Sequence, residues 1–351
     1  MLRSTPILVA VLCWMPVLAG GQKPAATPAL RPEPGATSPQ GLIQLDVVAT
    51  DKSGKPIAGL GQSDFTLLDN NHPASVVDFH AYGGAQAPPP QPVQVILLID
   101  TVNLDFQDVA YSRDGIDQFL RQDGGRLAQP VSIFWFTDKT LLMQPAPSTD
   151  GNAVAAQMDS MDGSLRDIRR SAGGWGASER VQLSLQMLDR VVHLEANNPG
   201  RKLLIWIGPG WPMGNPPPDP QMSSKEQQGL FQNTVELSTL LREAHIDLYS
   251  VTHGMPNGAT FMYEEYVKGV KKPSQAYFPN VDLRVLAVQS GGRVLVPSND
   301  LAAEIERCVQ DASAFYTISF APPPADGPNE YHELKIRVGK PGLTARTNTG
   351  Y

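Results

Sequence analysis

The chain has 351 residues, 41% of them hydrophobic, and a formal net charge of −7 with acidic and basic residues interspersed. That length allows one large domain with a smaller companion, and the apolar content is enough for a substantial core. With no polybasic block, the charge balance argues against nucleic acid or an anionic membrane surface as a partner.

Residues 1–19 read as a secretory signal peptide. Arg3 gives a short basic start, Ile7 to Leu18 is apolar, and Val17 and Ala19 take the −3 and −1 positions of a cleavage site. The apolar stretch is shorter than the roughly 20 residues of a spanning helix, and no other segment comes closer. The expectation is export, periplasmic or extracellular, with no transmembrane helix after cleavage; an uncleaved anchor is the rival reading. Residues 20–40, rich in Pro, Ala and Gly, read as a flexible linker. Without the leader, Cys308 is the only cysteine, so no internal disulfide forms. It shares an apolar stripe with Leu301, Ile305 and Val309 and reads as a buried, inert thiol.

Residues 41–82 read as a small antiparallel β unit, with strands at 43–49, 65–68 and 75–79 separated by turns at 51–56 and 69–73. A Pro-rich linker follows at 83–92. From 93 to 321 strand and helix patterns alternate. Strands are expected at 95–99, 131–136, 203–207, 246–251, 293–296 and 315–320, and helices at 105–121, 180–194, 225–244, 281–289 and 301–311. Such alternation signals βαβ units. The expected fold class is α/β: a doubly wound, mostly parallel sheet with helices on both faces, plus the small antiparallel unit. Residues 331–338 and 343–347 predict a terminal β-hairpin within a 322–351 extension.

The run Val95-Ile96-Leu97-Leu98-Ile99-Asp100 locates a site. A β-branched, apolar segment of this kind suits a strand buried on both faces. Its terminal carboxylate then lies at the carboxyl end of the strand, where open α/β sheets bind ligands.

Several short motifs occur in a fixed order. Thr50-Asp51-Lys52-Ser53-Gly54-Lys55-Pro56 leads to Gly59-Leu60 and Ser63-Asp64-Phe65-Thr66. Near the end, Tyr316-Thr317-Ile318-Ser319-Phe320 is followed by Pro341-Gly342-Leu343-Thr344-Ala345-Arg346 and Gly350-Tyr351. With the alternating pattern between them, the chain resembles a von Willebrand factor A-type domain, and more closely the secreted "VWFA-related" family described from Acidobacteria. The resemblance implies a fold and a habit of export rather than an activity.

It also implies a place for Mg²⁺ or Mn²⁺. In A-type domains an Asp-x-Ser-x-Ser motif after the first strand, a Thr from a later loop and an Asp after a central strand supply the hard oxygen donors such ions need. Here Asp100 keeps the first position, but Val102 and Leu104 replace both hydroxyls. The segment Gly208-Pro209-Gly210-Trp211-Pro212 lacks the later carboxylate, and the loop 171–178 has serines but no Thr. Asp100 and Asn103, with Thr101 and Asp105 as further oxygen donors, are the metal candidates. The competing reading is structural: Asp100 accepts backbone N–H bonds while Asn103 or Asp105 caps the next helix. The expectation is a degenerate site with no cofactor, Mg²⁺ or Mn²⁺ being the alternative.

Trp175 and Trp211, in Gly- and Pro-rich loops at the same end of the sheet, join Asn103 as candidate anchors for a protein or cell-envelope partner. The alternative is that each tryptophan shields its own loop, while Trp135 and Trp206 read as core. Loops at 213–220 and 253–278 are irregular. The second carries Tyr263-Glu264-Glu265-Tyr266 beside Lys268, Lys271 and Lys272, a mixed solvated surface.

Catalytic patterns are thin. His193-Leu194-Glu195 lacks the second His of a zinc helix, and there is no Gly-x-Ser-x-Gly elbow or phosphate-binding glycine loop. Asp100 could act as a phosphoryl-transfer nucleophile, as in haloacid-dehalogenase-like phosphatases, with Phe136-Thr137 imitating their second motif. Val102 stands where those enzymes carry a second acid. The sequence therefore predicts an exported, non-catalytic interaction or adhesion module. Metal-dependent adhesion and a phosphohydrolase-like enzyme are the alternatives.

Overall fold

A computed structural model describes residues 41–84, 89, 92–161, 173–211, 222–252, 270–295, 297–324 and 330–351, with backbone alone at 173–175. The expected signal and linker (1–40), most of the 83–92 linker and the loops at 213–220 and 253–269 lie outside the described residues. All of the described residues belong to the compact unit Gly35–Tyr351.

The chain begins with β1 (Ile43–Thr50), β2 (Phe65–Asp69), the two-residue β3 (His72–Pro73) and β4 (Val76–Gly83). It continues through β5 (Gln94–Asp100), α1 (Phe106–Leu120), β6 (Arg126–Phe136), β7 (Leu141–Met143), β8 (Ser148–Asp150), α2 (Gly151–Ser160), α3 (Gly173–Glu195) and β9 (Lys202–Ile207). Then come α4 (Ser224–Glu243), β10 (Ile246–Val251), α5 (Leu283–Gln289), α6 (Leu301–Val309), β11 (Ala314–Phe320), β12 (Leu334–Val338) and β13 (Thr344–Arg346). Side-chain oxygens start the helices as the sequence invites: Asp105 accepts from the Asp108 amide at 2.9 Å, and Ser223 with Glu226 forms a capping box on α4.

β5 is the middle of a mixed sheet of order β10-β9-β5-β6-β7, with β8 also paired to β6. Val95 to Ile99 are all 0% exposed, so both faces are covered. Val95, Leu97 and Ile99 join the cluster built with α1, α2 and α6, whereas Ile96 and Leu98 join α3, α4 and α5. Each such side chain contributes on the order of 2 kcal/mol of burial free energy. Close approach on the first face depends on Gly115 of α1, where an added Cβ would fall 2.7 Å from the Leu301 side chain.

The expectation of a doubly wound, mostly parallel sheet is not met. Among the described residues, seven of the ten strand pairings are antiparallel, and parallel pairing is confined to β10-β9, β9-β5 and β5-β6. Two further sheets are wholly antiparallel, with orders β13-β1-β11-β4 and β12-β2-β3. Two segments account for the difference. The apolar run at 315–320, expected in the βαβ series, instead sits between β1 and β4, pairing Ile43 with Phe320 and Phe79 with Ile318. Of the segment at 293–296, the described residues 293–295 make a single bridge, Val294 to Ser250, rather than a full strand. Nor do the last two strands form a hairpin with each other: β12 pairs with β2, and β13 with β1.

The antiparallel sheets enclose their own core of Leu45, Val47, Leu67, Tyr316, Ile318 and Phe320. Tyr316 pins the connection after β1, donating to the Ile57 carbonyl (2.7 Å) and accepting from the Leu60 amide (3.1 Å). Charged groups join these sheets to the mixed one. Fully buried Asp311 accepts from Arg346 of β13 (2.7 Å), from Tyr249 of β10 (2.8 Å) and from Arg293. His245, just before β10, contacts Asp46 of β1 at 2.8 Å, while within the mixed sheet Arg201 reaches Asp247 at 2.5 Å. Buried charges of this sort persist only when each is paired and hydrogen-bonded.

Candidate functional site

β5 delivers Asp100 to the carboxyl end of the parallel ladder, opposite Phe136 of β6. The chain then turns through Thr101 to Leu104 into α1, and the turn wraps around the carboxylate. Oδ1 accepts the backbone N–H of Val102 (3.2 Å) and of Asn103 (3.0 Å), and the Asn103 Nδ2 (3.1 Å). Oδ2 accepts Asn103 Nδ2 (2.8 Å) and the Trp206 indole N–H (3.0 Å). Asn103 Nδ2 also donates to Ser184 Oγ of α3 at 3.0 Å, tying the turn to the helix across the sheet end. Asp100 is 0% exposed. Burial pushes its pKa up, and the donors from Asn103, Trp206 and Val102 pull the other way.

An aromatic group roofs this cluster. Trp206 meets Phe136 edge-on at 5.8 Å and Trp211 at 5.6 Å. Trp211 is 3% exposed and its indole donates to the Val281 carbonyl at 2.9 Å. The expectation that Trp211 anchors a partner is therefore corrected: it folds back into the core beneath α5. Asn103, also proposed as a partner contact, is 4% exposed and points inward to Asp100. Trp175 lies not in a loop but in the first turn of α3, which starts before the expected residue 180; its side chain is outside the described residues.

The residues present do not fit Mg²⁺ or Mn²⁺. A carboxylate offers about four lone-pair positions, and four protein donors already converge on Asp100, the backbone N–H groups of Val102 and Asn103, the Asn103 Nδ2 and the Trp206 indole. Those donors place positive dipole ends where a cation would sit, whereas such ions need oxygen ligands. Thr101 Oγ1 donates to the Phe136 carbonyl at 2.7 Å, and Asp105 caps α1. At residue 208, where the A-type pattern would put a carboxylate, an added Cβ would fall 2.8 Å from the Asp100 Cβ, and the backbone φ of +150° is one that glycine favours. The metal assignment to Asp100 and Asn103 is corrected accordingly. Among the described residues no group of three or more His, Cys, Asp or Glu is arranged to hold a metal ion.

Thr137, the partner considered for phosphoryl transfer, spends its hydroxyl on its own turn, donating to the Thr140 carbonyl at 2.8 Å and accepting the Thr140 amide at 3.0 Å. Cys308 is fully buried, and burial raises its thiol pKa far above the ordinary range. Two members of the cluster were missed in the sequence. Ser184 interrupts the apolar stripe of Val181, Leu185 and Leu188, a polar break that signals a buried hydrogen bond. Trp206, read as core, is both core and donor.

No family model matches this chain, and no curated protein matches it. Solved structures to which it is similar include the human COPII-coat protein Sec24c, at 10% identity over 74% of this chain and 44% of that one, with a TM-score of 0.35. Another is the pilus adhesin SpaC from Lactobacillus rhamnosus GG, at 9% identity over 84% of this chain and 48% of that one, with a TM-score of 0.37. The chain spans less than half the length of either. Among the described residues no helix is long and apolar enough to cross a membrane.

Proposed function

We propose that the chain is an exported, non-catalytic interaction module of von Willebrand factor A type, acting on a protein or cell-envelope partner in the periplasm or outside the cell. In this reading the metal position is degenerate, and a neutral-donor cluster of Asn103, Trp206 and two backbone amides replaces the ion in holding the sheet end together. The observation that carries it is the saturation of Asp100: both carboxylate oxygens are taken by protein donors and none of the side chain reaches solvent. A nucleophile needs a lone pair free to reach its substrate, and a metal ligand one free for the ion.

The test is a pull-down with the full chain from the envelope fraction of its own cells, with and without chelator, alongside a generic phosphate-ester assay. The proposal predicts an exported chain, retention of a partner whether or not chelator is present, and no turnover. Chelator-sensitive retention would instead favour metal-dependent adhesion. Turnover abolished by Asp100→Asn would favour a phosphohydrolase.

A further inference from the structure

α3 and α4 pack on the same face of the mixed sheet, and between them runs a partly open trough of about 310 Å³. Its surface is mainly apolar: Leu185 from α3, Leu237 and Leu240 from α4, and Phe278 from the short turn that precedes α5. The three leucines are half-buried, while Phe278 is 55% exposed and its neighbour Tyr277 48%. Aromatic side chains this open beside an apolar channel mark a surface with something still to cover. Among the described residues, the charged ones that line the trough are both acidic and exposed, Asp189 on the α3 wall and Glu236 on the α4 wall. His193 sits 3.2 Å from Asp189 and neutralises it only when protonated.

We propose that this trough receives an amphipathic helical segment of a protein partner, its apolar side chains flanked by Lys or Arg. Two neighbouring helices with a channel between them suit the ridge of a third helix, read as apolar anchors at i, i+4 and i+7. The acidic walls select basic flanks. A second copy of this chain fits poorly, because a two-fold contact sets the same patch against itself and brings Asp189 and Glu236 onto like charges. A small apolar ligand is usually enclosed over most of its surface, and an open trough cannot do that. The inference stands apart from the degenerate-site reading, since it uses no atom of the Asp100 cluster.

The test is fluorescence anisotropy on the full chain with two labelled peptides of about 14 residues, roughly four helical turns, one built from Leu and Lys and the other from Leu and Glu. The expected result is binding of the Leu/Lys peptide at least about tenfold tighter than the Leu/Glu peptide. Phe278→Asp, at an exposed position, should weaken it about tenfold with the unfolding midpoint unchanged. That variant adds negative charge, so attraction to a generally acidic surface would instead strengthen. The pair Asp189→Lys and Glu236→Lys should reverse the peptide preference. Equal affinity for both peptides, no binding, or binding untouched by Phe278→Asp would overturn the proposal. So would concentration-dependent dimerisation that Phe278→Asp abolishes.

Discussion

Asp100→Asn keeps the shape of the side chain and exchanges one acceptor for a donor. The amide oxygen can serve the Val102 and Asn103 backbone N–H groups, which both point at Oδ1. The amide nitrogen then stands where Oδ2 was, against the Trp206 indole N–H at 3.0 Å and the Asn103 amide at 2.8 Å, donor facing donor. Trp206 is 0% exposed, so its N–H finds no water. An orphaned buried donor costs about 1–3 kcal/mol, and the second conflict at Asn103 about another 1 kcal/mol. Loss of the charge gives some of this back, because burial disfavours the carboxylate and raises its pKa. The expected net destabilisation is about 2–3 kcal/mol, measured by urea unfolding near neutral pH. Trp206→Phe removes the orphaned donor, so a double-mutant cycle of the two changes should show coupling of roughly 1 kcal/mol or more. An Asp100→Asn chain as stable as wild type, or additive single mutants, would refute the hydrogen-bond account of this residue.

The remaining expectations concern packing and charge. Trp211→Ala should cost about 3–5 kcal/mol in unfolding free energy, since the ring is core; a fully stable variant would show that it is not. Asp311→Asn leaves Arg293 and Arg346 without their carboxylate and should cost roughly 3 kcal/mol or more by the same measurement. Tyr316→Phe, which strands the Ile57 carbonyl and the Leu60 amide, should cost about 1–2 kcal/mol. The His245–Asp46 pair makes stability pH-dependent. The Asp46 carboxylate holds the His245 pKa above its ordinary value, against burial and nearby Lys202, with Asp247 adding to the rise. Its contribution is therefore full below about 6.5, the unfolded value, and is lost as pH rises through the folded one. For Asp46 burial raises the pKa, but His245, Arg201 and Lys202 outweigh it and the net shift is downward. Its contribution is lost as pH falls through that lowered value. The gap in melting midpoint between wild type and His245→Gln should be widest in mildly acidic buffer and narrow as the pH rises through the raised His245 pKa; a constant gap would exclude the linkage.

What the sequence revealed and what it hid follow from the range of each interaction. The β5 run was readable because five consecutive β-branched or leucine side chains suit a strand covered on both faces, and its terminal Asp located the sheet end. The helix cap at Asp105 was readable because capping is local, involving residues three apart; Ser223 and Asp300 cap α4 and α6 in the same way. The place of β11 was not. Its residues are buried along the whole strand, and that pattern is the same beside a parallel or an antiparallel neighbour. Likewise, residues 331–338 and 343–347 alternate like a hairpin, yet their partners are β2 and β1, hundreds of residues away. The short β7, β8 and α2 went unread, although Asp150 caps α2 and Val154, Ala155 and Met158 form its buried stripe. At the site, the loss of hydroxyls at Val102 and Leu104 was plain. That an indole from β9 and a serine from α3 would complete the Asp100 shell depended on distant contacts, and Trp211 was misjudged because Gly- and Pro-rich neighbours suggest exposure.

The measurement closest to the central claim is the thermal midpoint of the wild-type chain titrated with Mg²⁺ and Mn²⁺ to about 10 mM. A site with a dissociation constant near 0.1 mM would stabilise the folded state by about 2.7 kcal/mol, a rise of roughly 5 °C or more for a domain of this size. With the Asp100 oxygens already committed to Asn103, Trp206 and the turn amides, the midpoint should stay within about 1 °C throughout. A saturable rise that Asp100→Asn removes would contradict the account.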